Sequence, residues 1–98
     1  MAHEFRHETD QQRYAMYVDG ALVSVLDERE NADAVAFPHT YTVPAFRGHG
    51  YAADLVAYAV DDVERRTDKR IVPMCWFVGK WFDDHPDRAA LLSRTAAD

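Results

Sequence analysis

Two glycines and an arginine stand between a β-rich run and an amphipathic one, in Val43-Pro44-Ala45-Phe46-Arg47-Gly48-His49-Gly50-Tyr51-Ala52. These residue types in this order suit an anion. Gly48 and Gly50 let the backbone turn tightly and approach a ligand, and the free N–H groups of a first helical turn attract a phosphate to the positive end of the helix dipole. Arg47 adds a planar guanidinium at the rim, able to contact phosphate oxygens with two parallel donors. Three readings of the loop stand side by side. One is a strand-to-helix turn with no ligand. A second is the dinucleotide fingerprint Gly48-x-Gly50-x-x-Ala53, although 98 residues leave no room for two mononucleotide-binding halves. The third depends on the elements around the loop. A Walker loop is excluded, because no Gly-Lys-Ser/Thr follows the glycines.

Two further residues have types suited to group transfer. Cys75 is the single thiol, which rules out a disulfide framework. It is either a nucleophile, if its surroundings favour the thiolate, or a small hydrophobe in the core with Met74, Trp76 and Phe77. His39 is either a base near neutral pH or a residue that caps a strand after Pro38. His49 faces solvent or a phosphate, and His85 shapes the turn before Pro86. Five His and one Cys show no metal-ligand spacing, so no metal site is expected.

The elements that must position these residues can be read from periodicity. Arg13 to Val18 and Ala21 to Leu26 are β-rich runs separated by Asp19-Gly20, the signal of a hairpin with positive φ at both turn residues. Glu4 to His7 reads as a short charged edge strand. Glu28 to Asp33 reads as a loop, and Ala34 to Val43 as a β run kinked at Pro38. Ala52, Leu55, Val56, Ala59, Val60 and Val63 form one apolar stripe, which predicts a helix from about Gly50 to Arg66 with Arg65 and Arg66 at its negative end. Asp61, Asp62, Glu64, Arg65 and Arg66 read as its solvated face. Ile71 to Val78 reads as a buried strand parallel to the one before the helix, completing a β-α-β unit. Short helical turns from Asp87 to Leu92 and a fraying polar tail close the chain.

Composition bounds the rest. A chain of 98 residues, with 48% hydrophobic and 29% charged, suits one domain over residues 1–98. Eleven Lys and Arg against 17 Asp and Glu give a net charge of −6, the wrong sign for gripping a nucleic-acid backbone. Neither a signal-peptide core nor a membrane-length apolar run is visible, so the expectation is a soluble cytoplasmic protein without membrane partners.

Strand, Arg47-Gly48-x-Gly50-x-Ala52, amphipathic helix and buried strand, all after an antiparallel meander, resemble the acetyl-CoA signature of the GNAT N-acetyltransferase superfamily. His39-Thr40-Tyr41-Thr42-Val43-Pro44, the run Ile71 to Val78, the pair Trp81-Phe82 and the step His85-Pro86 narrow the likeness to small stand-alone GNAT-like proteins, over roughly Arg13 to Leu92. The resemblance implies a minimal α/β GNAT fold, an antiparallel meander leading into a β-α-β unit with splayed parallel strands and a short C-terminal helix. It implies acetyl-CoA as cofactor, its pyrophosphate on the backbone of Gly48, His49, Gly50, Tyr51 and Ala52 beside Arg47. The pantetheine arm would pair with the strand edge from Tyr41 to Val43, at Thr42 and Val43, opposite a strand from Met74 to Trp76. Cys75 and His39 then become the catalytic candidates. The implied activity is acetyl transfer from the acyl-CoA to an amine, small molecule or protein, directly or through Cys75. The long N-terminal helices that build the acceptor wall in full-length relatives are missing. A CoA-binding module without turnover and a partner-dependent subunit therefore stand as alternatives. An exposed Trp81-Phe82 patch near the cofactor would hold the acceptor or a partner, and the sequence names neither the amine nor the oligomeric state.

Overall fold

Asp19 and Gly20 adopt φ of 49° and 84°, the pair of positive values a tight hairpin demands, and they join β2 (Arg13–Val18) to β3 (Ala21–Asp27). The structure, a computed structural model, describes residues 2–95; of the expected polar tail, Ala96 to Asp98 lie outside the described residues. β1 (His3–Glu8) pairs antiparallel with β2 as the edge strand, one residue longer at each end than the sequence reading. Its outward charges are paired along the ladder, with Arg6 bonded to Glu4 and lying 4.2 Å over the Tyr17 ring, and Arg13 Nε 2.7 Å from Glu8. Such charges discourage edge-to-edge association.

The β run before the helix divides at Pro38. Its first part, β5 (Ala34–Ala36), joins β4 (Arg29–Glu30) and β7 (Arg70–Val72) in one sheet; its second, β6 (Thr40–Thr42), closes the other sheet in the order β1-β2-β3-β6. Proline lacks the N–H that would continue a ladder, so the chain changes partner there. A hydrogen bond from the Asp27 N–H to the His39 carbonyl, 2.9 Å, extends the pairing of β3 with β6 back to the residue after Pro38. The expected loop from Glu28 to Asp33 thus contains the short strand β4. Asn31 turns the chain back, its side-chain oxygen accepting from the N–H groups of Asp33 and Ala34.

α1 (Tyr51–Arg66) follows the predicted helix within one residue and buries Tyr51, Leu55, Val56, Ala59, Val60 and Val63. These pack on Tyr14, Met16, Val23 and Leu26 of the sheet and on Val35, Phe37 and Ile71. β7 then runs parallel to β5, with register Val35↔Ile71, as a β-α-β unit requires. The strand expected from Ile71 to Val78 ends at Val72. Phe37 donates to the Val72 carbonyl and Cys75 to the Phe37 carbonyl, both at 3.0 Å, after which α2 (Trp76–Asp84) begins. Val78, Trp81 and Phe82 are buried at i, i+3 and i+4, the period of a helix rather than of a strand. The expected opening of Thr42 and Val43 against a Met74-to-Trp76 strand is therefore corrected: β6 diverges from a bend and a helix start. A 3-10 helix, Pro86–Leu92, docks Leu91 into the core.

The solvated-face reading of α1 holds for Asp61, Glu64, Arg65 and Arg66, which are exposed, and needs correction at Asp62. Asp62 accepts from the buried Tyr14 hydroxyl at 2.6 Å and from Arg66 Nε at 3.1 Å, while Asp61 and Glu64 hold Arg88 of the 3-10 helix at 2.8 and 3.0 Å. His7, stacked on Tyr14, meets the buried Glu28 through Nε2. This polar cluster fastens the C-terminal end of α1 to β1 and β2 through His7 and Tyr14, and leaves its N-terminal end to the glycine loop.

Candidate active site

The glycine loop is built from both sides. The Val43 N–H donates to Val23 at 2.9 Å and anchors the end of β6; a 3-10 turn, Pro44–Phe46, then leads to Arg47. Gly48 and Gly50 take φ of 87° and 76°, the left-handed region that a side chain resists. A Cβ at either position would meet no atom within 4 Å, so the glycines serve backbone conformation and an open face rather than close packing. The first helical hydrogen bond is Asp54 N–H to Gly50, at 3.1 Å. The N–H groups of residues 48–53 donate to no acceptor among the described residues. Successive unpaired amides at a helix N-terminus favour an anion through their donors and the helix dipole together.

Of these residues, 48 and 50–53 line a cleft of about 300 Å3. Of the residues singled out in the sequence, Thr42, Arg47, Gly48, Gly50, Tyr51 and Ala52 line it, whereas Val43 and His49 do not. The Tyr51 ring is buried and edge-on to His3, so its backbone is what it offers the cleft. His49 is exposed and stacks on Tyr51 at 5.2 Å. Arg47 Nε donates to the Thr42 carbonyl at 3.2 Å and its guanidinium carbon lies 6.0 Å from the Tyr41 ring, so the cation is held at the rim. Phe46, Ala53 and Phe77 complete the walls and were missed. Ala53 was legible as one more residue of the first turn, but Phe77 reaches the cleft only because α2 begins beside it.

Cys75 is the N-cap of α2, half-buried in extended backbone. Thr40 Oγ1 lies 3.4 Å from its sulfur. Burial raises the pKa of the thiol most strongly, yet the Thr40 hydroxyl and the backbone N–H groups of Phe77 and Val78 outweigh it and hold the thiol below its ordinary value. His39 stands one residue before Thr40, and successive side chains of extended backbone point to opposite faces. Its ring is exposed, Nδ1 lying 3.6 Å from Asp27 Oδ2, and no hydrogen bond joins it to Cys75 among the described residues. The two catalytic candidates thus flank one strand. Thr40, absent from the sequence-based set, is the side chain that touches the thiol.

A family model described as GCN5-related N-acetyl-transferase matches residues 13–91, from β2 through the glycine loop to the end of the 3-10 helix. The chain belongs to the GCN5-related N-acetyltransferase family. No curated protein matches it. Among solved structures it is similar to a ribosomal-protein-alanine N-acetyltransferase from Brucella melitensis biovar Abortus 2308, with TM-score 0.60 and 23% identity over 88% of this chain. That likeness carries the fold, and this chain spans 62% of the length of that one. Among the described residues no helix is long and apolar enough to cross a membrane, and no group of three or more His, Cys, Asp or Glu is placed to hold a metal ion.

Proposed function

We propose that the chain binds acetyl-CoA in the cleft at the N-terminus of α1 and transfers the acetyl group to an amine. The observation that carries this reading is the run of unpaired N–H groups at residues 48–53, opening on the cleft with Arg47 at its rim. A pyrophosphate matches both: its oxygens accept from the amides, and Arg47 adds a charge-assisted contact. β6 is the terminal strand of its sheet, so its outer edge is open to the amides of a pantetheine arm beside Thr42 and Val43. Arg47, Gly48, Gly50, Tyr51 and Ala52 hold the phosphate end, with His49 at its outer lip.

The thioester supplies an activated acetyl group. Transfer then requires the amine nitrogen to bond to the carbonyl carbon as the C–S bond breaks, with the proton lost by the amine balanced by one gained by the leaving thiolate. Cys75, at the N-cap of α2 and beside Thr40 of β6, has a thiol tuned toward the thiolate and accepts the acetyl group first or protonates the leaving sulfur. His39, exposed and 3.6 Å from Asp27, is the candidate to take a proton from an incoming amine. A second reading, a CoA-binding module without turnover or a subunit that needs a partner, draws on one observation: the chain spans only 62% of the enzyme it resembles.

Thermal-shift titration with acetyl-CoA, CoA, NAD and ATP tests the binding step. Stabilisation by the two CoA species alone is expected, and equal stabilisation by NAD or ATP would refute it. Free-thiol release with a panel of amines then separates enzyme from binder. Intact mass after incubation with acetyl-CoA separates the two routes, since an adduct mapped to Cys75 belongs only to the covalent one.

A further inference from the structure

One acceptor on the outer edge of β6 is already taken. The Asp27 N–H donates to the His39 carbonyl and the Val43 N–H to the Val23 carbonyl, while the Tyr41 carbonyl accepts from the Ser24 hydroxyl at 3.1 Å. His39, Tyr41 and Val43 therefore turn their backbone groups toward β3. Paired and unpaired positions alternate along an antiparallel ladder, so Thr40 and Thr42 turn theirs to the outer edge. There the N–H and hydroxyl of Thr40 meet the Cys75 thiol, and the Thr42 carbonyl meets Arg47 Nε at 3.2 Å.

An added strand lies about 4.8 Å from its neighbour and draws on these outward groups. With Nε on the Thr42 oxygen, the guanidinium of Arg47 stands in that lane, its carbon 6.0 Å from the ring of the exposed Tyr41. No carboxylate holds Arg47 among the described residues, so this carbonyl is its polar partner there. Arg47 also lines the cleft with Gly48 and Gly50. The patch expected at Trp81 and Phe82 gives the edge no second foothold, because both rings are buried.

We propose that Arg47 is a latch that makes the cleft specific for an arm carrying a diphosphate. The inference rests on the acetyl-CoA reading above. Without an anion at the glycine loop, Arg47 stays on the Thr42 carbonyl and bars the edge. A diphosphate at the loop draws the guanidinium off, because that contact is charged on both sides whereas the Thr42 oxygen is neutral. The freed carbonyl then accepts an N–H of the arm. Diphosphate and arm are thereby coupled, each raising the affinity of the other by the same factor. An arm without diphosphate has to displace Arg47 unaided and is rejected.

Pantetheine, inorganic pyrophosphate and CoA are the probes, in calorimetry on the full chain. Arg47→Met keeps much of the length of the side chain and removes its donors and charge, at an exposed position where a thermal melt verifies folding. CoA should bind this variant about tenfold more weakly, and pantetheine about two- to tenfold more tightly, since one hydrogen bond no longer has to be broken. Saturating pyrophosphate should raise the pantetheine affinity of the wild-type protein by a similar factor and leave that of Arg47→Met unchanged. Pantetheine that binds the variant no better than the wild type, absence of binding to both included, overturns the latch. So does a wild-type affinity for pantetheine that pyrophosphate does not alter. In either case CoA binding leaves the cofactor reading standing, whereas failure of the wild-type protein to bind CoA overturns both.

Discussion

Gly50→Asp places a carboxylate at the N-cap of α1, on the wall of the cleft assigned to the pyrophosphate. Its effect on the fold is small. The residue sits at φ 76° with nothing within 4 Å of a Cβ, so the cost is conformational: left-handed backbone disfavours a side chain by about 1–2 kcal/mol, least for Asn and Asp. Asp at an N-cap also returns about 0.5–1 kcal/mol through the helix dipole. The net change is within about 1 kcal/mol, a melting shift of no more than about 4–8 °C. Its effect on the ligand is much larger. A negative charge about 5 Å from a phosphate charge is repelled by about 1 kcal/mol in bulk water and about 3 kcal/mol at an effective dielectric of 20, roughly five- to several-hundredfold in affinity. Calorimetry with CoA, beside a thermal melt of each variant, measures both quantities. Gly50→Asn separates charge from size, being of similar volume and equally tolerant of the backbone. It should retain most of the affinity, and the Asp defect alone should shrink as added salt shortens the screening length from about 30 to about 3 Å. A folded Gly50→Asp protein with unchanged CoA affinity, or an Asn variant as defective as the Asp one, refutes the reasoning.

Three further outcomes follow from the environment of named side chains. Because the Thr40 hydroxyl and the amides of α2 hold the Cys75 thiol below its ordinary value, the thiolate fraction at neutral pH exceeds that of a free cysteine. The pH midpoint of iodoacetamide labelling should lie correspondingly low and move upward in Thr40→Val; equal midpoints in the two proteins contradict the Thr40 contribution. Burial pushes the Asp62 carboxyl up, but the Tyr14 hydroxyl and Arg66 outweigh it and leave it below its ordinary 3.8. Its contribution to stability is therefore fully present above the unfolded value and is lost as pH falls through the lower folded one. Asp62→Asn should cost about 1–3 kcal/mol in urea unfolding at neutral pH and flatten the acid limb below about pH 4; an unaltered acid limb would show that the carboxylate is not coupled to folding. Leu55→Ala, deleting a side chain 1% exposed under the sheet, should cost about 2–5 kcal/mol, a large share of the roughly 5–15 kcal/mol that stabilises such a chain; a loss below about 1 kcal/mol would contradict the packing of α1.

The legible parts of this protein are those whose determinants are local. Asp19-Gly20 specifies the hairpin because few other pairs accept positive φ at both turn residues. The stripe from Leu55 to Val63 specifies α1 because a helix displays that spacing on one face. Gly48 and Gly50 before that stripe mark the loop, since a left-handed residue at a helix entrance is itself a sequence constraint. The position of Arg47 at the cleft rim follows from its place between β6 and the loop.

What the sequence could not determine is where pairing stops. Ile71 to Val78 is apolar enough for a strand, yet a strand lasts only as long as a partner lies beside it. Pro38 sends that partner to the other sheet, so the chain leaves the ladder at Val72 and coils at Trp76, where Val78, Trp81 and Phe82 bury together. This one tertiary event makes Cys75 a helix N-cap, brings Phe77 to the cleft at the glycine loop, uncovers Trp76 and hides Trp81 and Phe82. The inward turn of Asp62 has the same kind of origin, because a charged helix face looks solvated until Tyr14 from a distant strand is placed against it. Local backbone chemistry wrote the glycine loop into the sequence, while long-range pairing decided that Phe77 stands at its cleft and that Cys75 caps a helix beside Thr40.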